Sequence, residues 1–283
     1  MSLGAYTIIR NEAAWVGFCV MAAKEVVSEF VFFDGNSNDG TVQLLEYIAK
    51  KYKIDIKITL DQDPKDLRDD YVKVFNDCLK QVKSDYAFFL HPDMIVVGNK
   101  GIPKKGPMAY YTKMRTFGGD PRGEIFEFTE GRGDKWKNIM LNDFGLHYFG
   151  HYGIYEEDMY FSDITGAEHV MHGDFTKYPF KVEDSGIELF HYSDVRTYKR
   201  RLGRMATCLE NQDNRFSREA AEILATTHPR VTFGKSTRYP GFDYKQHTVF
   251  PEVFSKYNDE FAYILGRKPE EFCLLPIKKE VEC

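Results

Sequence analysis

The sequence predicts an α/β fold, a mostly parallel central sheet flanked by helices, with a C-terminal helical and irregular extension. Three observations carry this expectation. Through residue 90, apolar runs of strand length alternate with segments whose apolar residues recur at helical spacing. The connections between them are short. Three of the runs stop abruptly in polar residues: Arg10, Asn11 and Glu12; Asp34 to Asp39; and His91, Pro92 and Asp93. Open parallel sheets hold their ligands beyond the carboxyl ends of strands, so these three stops are candidate site segments.

The elements follow in order. Residues 5–10 form the first strand, and Asn11 is placed to cap a helix with Trp15, Phe18, Ala22 and Val26 on one buried face. Residues 29–33, EFVFF, read as a fully buried strand. Asp39 and Thr41 can cap the next helix, in which Val42, Leu45, Ile48 and Tyr52 share a face. DIKITL, 55–60, alternates as an edge or half-buried strand does, and Leu67, Tyr71, Val74, Cys78 and Val82 mark a long amphipathic helix. DYAFFL, 85–90, is another buried strand. Beyond a loop at 98–107, AYYTKMRTF and GEIFEF read as strands of a hairpin-like extension. Residues 130–185 have weak periodicity and no assignable elements, residues 191–212 look helical after their first few positions, and a helical pattern returns at VFSKYNDEFAYILG. The expected division is a main α/β domain over 1–195, which carries the candidate site segments, with a helical extension, 196–283, packed on it.

Bulk properties narrow the function classes. With 283 residues and 43% hydrophobic side chains, the chain can bury a proper core. Its formal charge of −5 provides no global basic field for nucleic acid or an anionic membrane. Five scattered cysteines without a CxxC pair fit free thiols in a reducing compartment. No apolar run approaches the ~18 residues of a membrane span, and the opening residues lack the pattern of a secretory signal. A soluble, cytoplasmic protein is expected.

TIIRNEAAWVGFCV, FVFFDGNSNDGT and DYAFFLHPDMIVV occur in an order and spacing that resemble family 2 glycosyltransferases of the GT-A fold. That family shows a strand ending in Asn-Glu, a strand ending in Asp-Gly-x-Ser-x-Asp-Gly-Thr, and a strand ending in Asp-x-Asp. The match covers roughly the first 100 residues well and the later chain loosely. The resemblance implies a Rossmann-like nucleotide-sugar site and transfer of a sugar, with a UDP-sugar the expected donor, to a glycan or other hydroxyl acceptor. The departing nucleoside diphosphate develops negative charge, so a base slot, a ribose contact and a divalent cation, Mn2+ or Mg2+, are required.

The resemblance assigns Asp34 to the nucleotide, and a carboxylate there suits the N–H of a uracil-like base or ribose hydroxyls. Arg10, Asn11 and Glu12 join it at the neighbouring strand end, while Gly35, Asn36 and Gly40 suit a tight turn beside a ligand. Arg68 stands where the family often turns a basic residue to the nucleotide; beside Asp66, Asp69 and Asp70 it is equally a solvated helix charge. His91 and Asp93 fill the Asp-x-Asp position as His-Pro-Asp. Asp93 is the expected metal ligand, since hard oxygen donors suit these cations, and His91 departs from the usual first Asp at the ribose contact. His191, in IELFHYS, is either a further metal ligand or a satisfied core histidine. Inverting transfer needs a carboxylate to take the acceptor proton. Glu157 and Asp158 match the family's Glu-Asp form, Asp174 is the alternative, and Asp158 is preferred.

Three rival readings share these features. A nucleotidyltransferase would release pyrophosphate, and a decayed donor site would bind a nucleotide or sugar without turnover. A DNA-base-modifying transferase would use the basic segment 196–204 on phosphates and a flipped base, which the acidic balance disfavours.

Overall fold

The computed structural model describes residues 2–60, 71–99, 109–119, 125–128, 136–141, 147–149, 159–162, 168–171, 182–195, 244–272 and 275. The packing divides into two units. The first holds 1–114, 132–190 and 251–273, and the second 115–131, 191–250 and 274–283.

The first unit is built on four parallel strands in the order β3-β2-β1-β4, where β1 is Leu3–Ile9, β2 Glu29–Asp34, β3 Asp55–Leu60 and β4 Tyr86–Phe89. Helices α1 (Ala13–Ala23), α2 (Thr41–Tyr52) and α3 (Tyr71–Gln81) flank them, as expected for this α/β class. The chain steps from β1 through α1 to β2 and through α2 to β3 in one direction, then returns to place β4 on the other side of β1. Right-handed crossovers therefore put α1 and α2 on one face and α3 on the other. Consistent with this, Tyr6, Ile8, Val31, Ala87 and Phe89 form one buried cluster with Cys78 and Val82. β3 is the edge strand and is partly exposed along its length, as its alternating sequence predicts.

Strand β8 (Trp136–Leu141) continues the sheet antiparallel beside β4, and the first half of β6 (Ala109–Gly119) lies antiparallel beside β8. β5 (Met94–Asn99) pairs with β12 (Val182–Val195). Strands β9 (His147–Phe149), β10 (Met159–Ser162) and β11 (Glu168–Met171) form a separate antiparallel sheet in a stretch where the sequence shows too little periodicity to assign elements.

Helix α1 departs from the expectation of one buried face. Trp15 and Phe18 are buried, but so are Val16, Cys19, Val20 and Met21, while Ala22 and Val26 are only partly covered. A helix apolar on all sides needs cover on all sides, and a third layer supplies it: α4 (Glu252–Ile264) and the short α5 (Pro269–Phe272). The Phe18 ring meets Phe254, Phe261 and Phe272 at centroid distances of 4.9, 5.4 and 5.8 Å. Gly17 permits the close approach, because a Cβ there would stand 2.7 Å from Phe261 Cε2 and 3.0 Å from Leu44 Cδ2. Helices α2 and α4 are also joined through Glu260, which accepts from Tyr52 Oη at 2.7 Å and pairs with Lys51 Nζ at 2.7 Å.

At the amino edge of the sheet, the buried Glu29 accepts from Lys57 Nζ, the Lys83 and Ser84 backbone N–H groups and Ser84 Oγ at 2.5–2.7 Å. Burial pushes its carboxyl upward, but these hydrogen bonds outweigh burial and hold it below the usual glutamate value.

In the second unit, the end of β6 pairs antiparallel with β7 (Ile125–Phe128), and β7 with β13 (Tyr244–Gln246). The hairpin pairing of the two strands read at 109–128 is therefore present. Phe117 stacks on Tyr192 at 5.0 Å and meets the His247 ring at 4.2 Å, making a small aromatic core. Among the described residues, no helix is long and apolar enough to cross a membrane.

Candidate functional site

The order β3-β2-β1-β4 creates a point at the carboxyl edge where connections leave β1 in opposite directions, and such points are where open sheets take ligands. Asp34 ends β2 in register with Ile9, while Phe89 ends β4 three residues earlier, opposite Tyr6. From there the chain continues through Leu90, whose N–H donates to Tyr6 O, into a turn closed by Met94 N–H on His91 O at 3.0 Å. The Asp34 and His91-Pro92-Asp93 segments therefore leave the same edge on either side of β1. Two strand spacings make the lateral separation of β2 and β4 roughly 10 Å.

The loop after β2 is bound to the turn after β1. Asp34, 2% exposed, accepts from the Ser37 N–H at 2.8 Å and from Ser37 Oγ at 2.5 Å. Ser37 Oγ in turn accepts from the Asn11 N–H at 2.8 Å, and Asn11 Oδ1 accepts from the Asn38 N–H at 2.9 Å. Asn11 and Asn36 both adopt left-handed backbone, φ 56° and 60°, a conformation asparagine tolerates better than most side chains. This corrects the expectation that Asn11 caps α1: the cap position is Glu12, without a side-chain hydrogen bond, and Asn11 stands one residue earlier in a left-handed turn.

The cap position of α2 is Gly40, without a side-chain hydrogen bond, rather than Asp39 or Thr41, but the two flanking side chains still serve the helix starts. Asp39 Oδ1 accepts from the Thr41 N–H and hydroxyl at the start of α2, and its Oδ2 accepts from the Ala13 N–H at the start of α1. Thr41 Oγ1 accepts from the Glu12 N–H at 2.9 Å. One carboxylate thus serves two helix N-termini, where amide donors and macrodipole both favour an anion. Those termini are the usual phosphate seats of dinucleotide folds. Here the chain's own Asp39 is hydrogen-bonded to both, and the segment after β1 carries no glycine-rich turn. Asp39 thereby sets a negative charge beside both helix starts, where it opposes a second anion.

On the other side of β1, Asp93 is 5% exposed and the His91 ring packs edge-on against Phe89 at 4.5 Å. Cys19 Sγ, from α1, donates to His91 O at 3.3 Å and so fastens the turn to the helix. Burial first, and the Asp93 charge second, push the Cys19 thiol far up, so it stays protonated. Among the described residues, no three of His, Cys, Asp and Glu gather closely enough to hold a metal by themselves. A single buried carboxylate that shares a cation with a diphosphate fits the way Mg2+ and Mn2+ are commonly held, by one or two carboxylates plus substrate phosphates.

Arg10 is exposed beside this edge, and Glu12 lies at the entry to α1. His191 lies inside β12, in the second unit, beside Tyr192 of the aromatic core. Arg68, Glu157, Asp158 and Asp174 lie outside the described residues. Sequence reasoning missed the contribution of the segment after α4: Arg267 Nη2 donates to Asp39 O at 2.6 Å, and Gln43 Nε2 donates to Ile264 O at 3.1 Å. Nothing local to residues 264–267 signals this.

No family model matches the chain, and no curated protein does. Among solved structures it is similar to S. aureus TarS 1-349, at 13% identity and TM-score 0.42, over 97% of this chain and 83% of that one. It is similar to the same S. aureus fragment in complex with UDP, at 15% identity and TM-score 0.36, over 96% and 70%. It also resembles GalNAc-T7 with UDP, GalNAc and Mn2+, at 11% identity and TM-score 0.36, over 96% of this chain but 56% of that one. Likenesses this loose assign neither an activity nor residue roles.

Proposed function

We propose that this chain is a metal-dependent glycosyltransferase of the GT-A kind, transferring a sugar from a nucleotide-sugar donor, with UDP the expected carrier, to a hydroxyl acceptor. The single observation that carries the reading is the pair of buried carboxylates, Asp34 and Asp93, leaving one edge of the parallel sheet on opposite sides of β1. The resemblance of residues 34–41 to the Asp-Gly-x-Ser-x-Asp-Gly-Thr loop of family 2 enzymes points the same way.

In this reading Asp34 accepts hydrogen bonds from the base or ribose. Both its oxygens already receive Ser37, yet a carboxylate offers about four lone-pair sites, so acceptor capacity remains. Asp93 is the residue that would hold a divalent cation, with the donor diphosphate supplying further oxygen donors. When bound, that cation neutralises charge developing on the leaving diphosphate. A cation here is supported by Asp39, whose carboxylate takes an N–H at the start of both α1 and α2 and sets a negative charge beside them. The acceptor proton goes to a carboxylate among Glu157, Asp158 and Asp174, with Asp158 preferred, and attack opposite the leaving group inverts the anomeric centre.

The test is a turnover assay with a panel of nucleotide sugars and Mn2+, following the phosphorus product. Release of a nucleoside diphosphate supports the reading. Release of pyrophosphate replaces it with nucleotidyl transfer, and binding without turnover replaces it with a sugar- or nucleotide-binding protein.

A further inference from the structure

We propose that the turn following α4, residues 265–267, positions the loop that presents Asp34, so that donor binding at the carboxyl edge depends on a brace from the far end of the chain. The inference rests on the donor-site reading given above and assigns a role to a segment in which the sequence shows none.

Three contacts define the brace. Arg267 Nη2 donates to Asp39 O at 2.6 Å across a separation of 228 residues. Leu265 packs directly on Gly40: a Cβ built on Gly40 would stand 2.6 Å from Leu265 Cδ2, and Gly40 has φ +91°, a conformation L side chains rarely adopt. Gln43, in the first turn of α2, donates to Ile264 O. The turn is itself held in shape, since the Arg267 N–H donates to Ala262 O at 2.8 Å and Leu265 N–H to Phe261 O at 3.2 Å, behind a helix anchored on Phe18.

The brace reaches Asp34 through a short relay. Arg267 fixes the Asp39 backbone, the Asp39 carboxylate fixes the starts of α1 and α2, and the loop between Asp34 and Asp39 closes through Ser37 on Asp34 and Asn38 on Asn11. Arg267 is therefore a positioning residue, which acts on the donor through Asp39 and Ser37 without touching it.

The experiment uses the full chain with Arg267→Ala and Arg267→Lys. It reads amide hydrogen exchange at Ser37, Asn38 and Thr41, whose N–H groups are hydrogen-bonded within the loop, and UDP affinity in the presence of Mn2+. Loss of a hydrogen bond from a charged donor predicts exchange about tenfold faster in the Ala variant and UDP binding about tenfold weaker, with the Lys variant intermediate. Amides inside α1, such as Val16 and Val20, should keep wild-type rates. Unchanged exchange at the three loop amides in either folded variant overturns the brace. Faster exchange with unchanged UDP affinity also overturns it, because the contact is then only structural. Should the Ala variant fail to fold, the same two measurements on Arg267→Lys decide the question by the same criteria. Failure of the wild-type chain to bind any nucleotide would defeat the donor-site reading instead, and the exchange result would still show whether the turn holds the loop.

Discussion

Asp39 accepts a hydrogen bond from the Ala13 N–H at 3.1 Å, so a carboxylate in the loop after β2 closes the N-terminus of the helix that follows β1. Its other oxygen serves Thr41 at the start of α2. Replacing Asp39 with Ala removes acceptors from two helix starts together with the charge that faces both macrodipoles. A loss of about 2–3 kcal/mol is expected from the sum of two caps and a dipole contribution. Asp39→Asn, which keeps an acceptor oxygen, should lose about half as much. Urea unfolding of the three proteins checks the order.

Gly17 makes a prediction that runs against helix propensity. Alanine in a helix interior is favoured over glycine by about 1 kcal/mol. The added Cβ would nevertheless meet the Phe261 ring at 2.7 Å and Leu44 at 3.0 Å, inside the packed seam of α1, α2 and α4. Overpacking of this kind costs about 1–3 kcal/mol, and the buried ring has little room to retreat, so Gly17→Ala should be destabilising overall. Adding Phe261→Leu should recover part of the loss, and a double-mutant cycle by urea unfolding measures the coupling.

Glu29 predicts a pH dependence. Its folded-state carboxyl is depressed by Lys57, Ser84 and the Lys83 N–H despite burial. A depressed carboxylate contributes stability above its unfolded value, and that contribution is lost as pH falls through the folded value. Glu29→Gln, which does not titrate, should be less stable than wild type by about 2 kcal/mol at pH 7. The gap should narrow progressively as pH drops below about 4.3, the unfolded glutamate value. Urea unfolding at pH 7 and pH 3 reads both points, and a constant gap would show that Glu29 acts by shape alone.

The parts of the fold that can be read in the sequence are those whose signal is local. The apolar runs ending at Ile9, Asp34 and Phe89 are strands because their side chains are buried on both faces of a covered sheet, and each run is its own evidence. The all-round burial of α1 is also legible in AAWVGFCVMAA, although helical spacing through Trp15 and Phe18 points to a single face. What covers the second face, Phe254, Phe261 and Phe272, lies more than 230 residues away and makes no local pattern with it. The short strands β9, β10 and β11 fall in an aromatic and acidic stretch where turn signals and apolar positions do not alternate regularly.

The site divides along the same line. Residue type and position at or just beyond an apolar run mark Asp34 and Asp93 as candidates; that Asp34 also holds Ser37, and that Asp93 stands in the turn before β5, emerges only from the assembled structure. The sequence points to Asn11 for the right place and the wrong work. Its left-handed backbone and its bonds to Ser37 and Asn38 are consequences of two loops meeting, which neither loop encodes alone. Arg267 reaches Asp39 from another part of the chain for the same reason, and only the assembled structure brings them together.

In the proposed site Asp34 serves the nucleoside and Asp93 the cation, and calorimetric titration of UDP with and without Mn2+ separates the two roles. Wild type should bind UDP more tightly with Mn2+ present. Asp34→Ala should lose binding under both conditions, whereas Asp93→Ala should retain the weaker, metal-free binding and lose only the Mn2+ enhancement. An Asp93→Ala protein that keeps the full Mn2+ enhancement, or an Asp34→Ala protein that binds UDP as wild type does, would contradict the account.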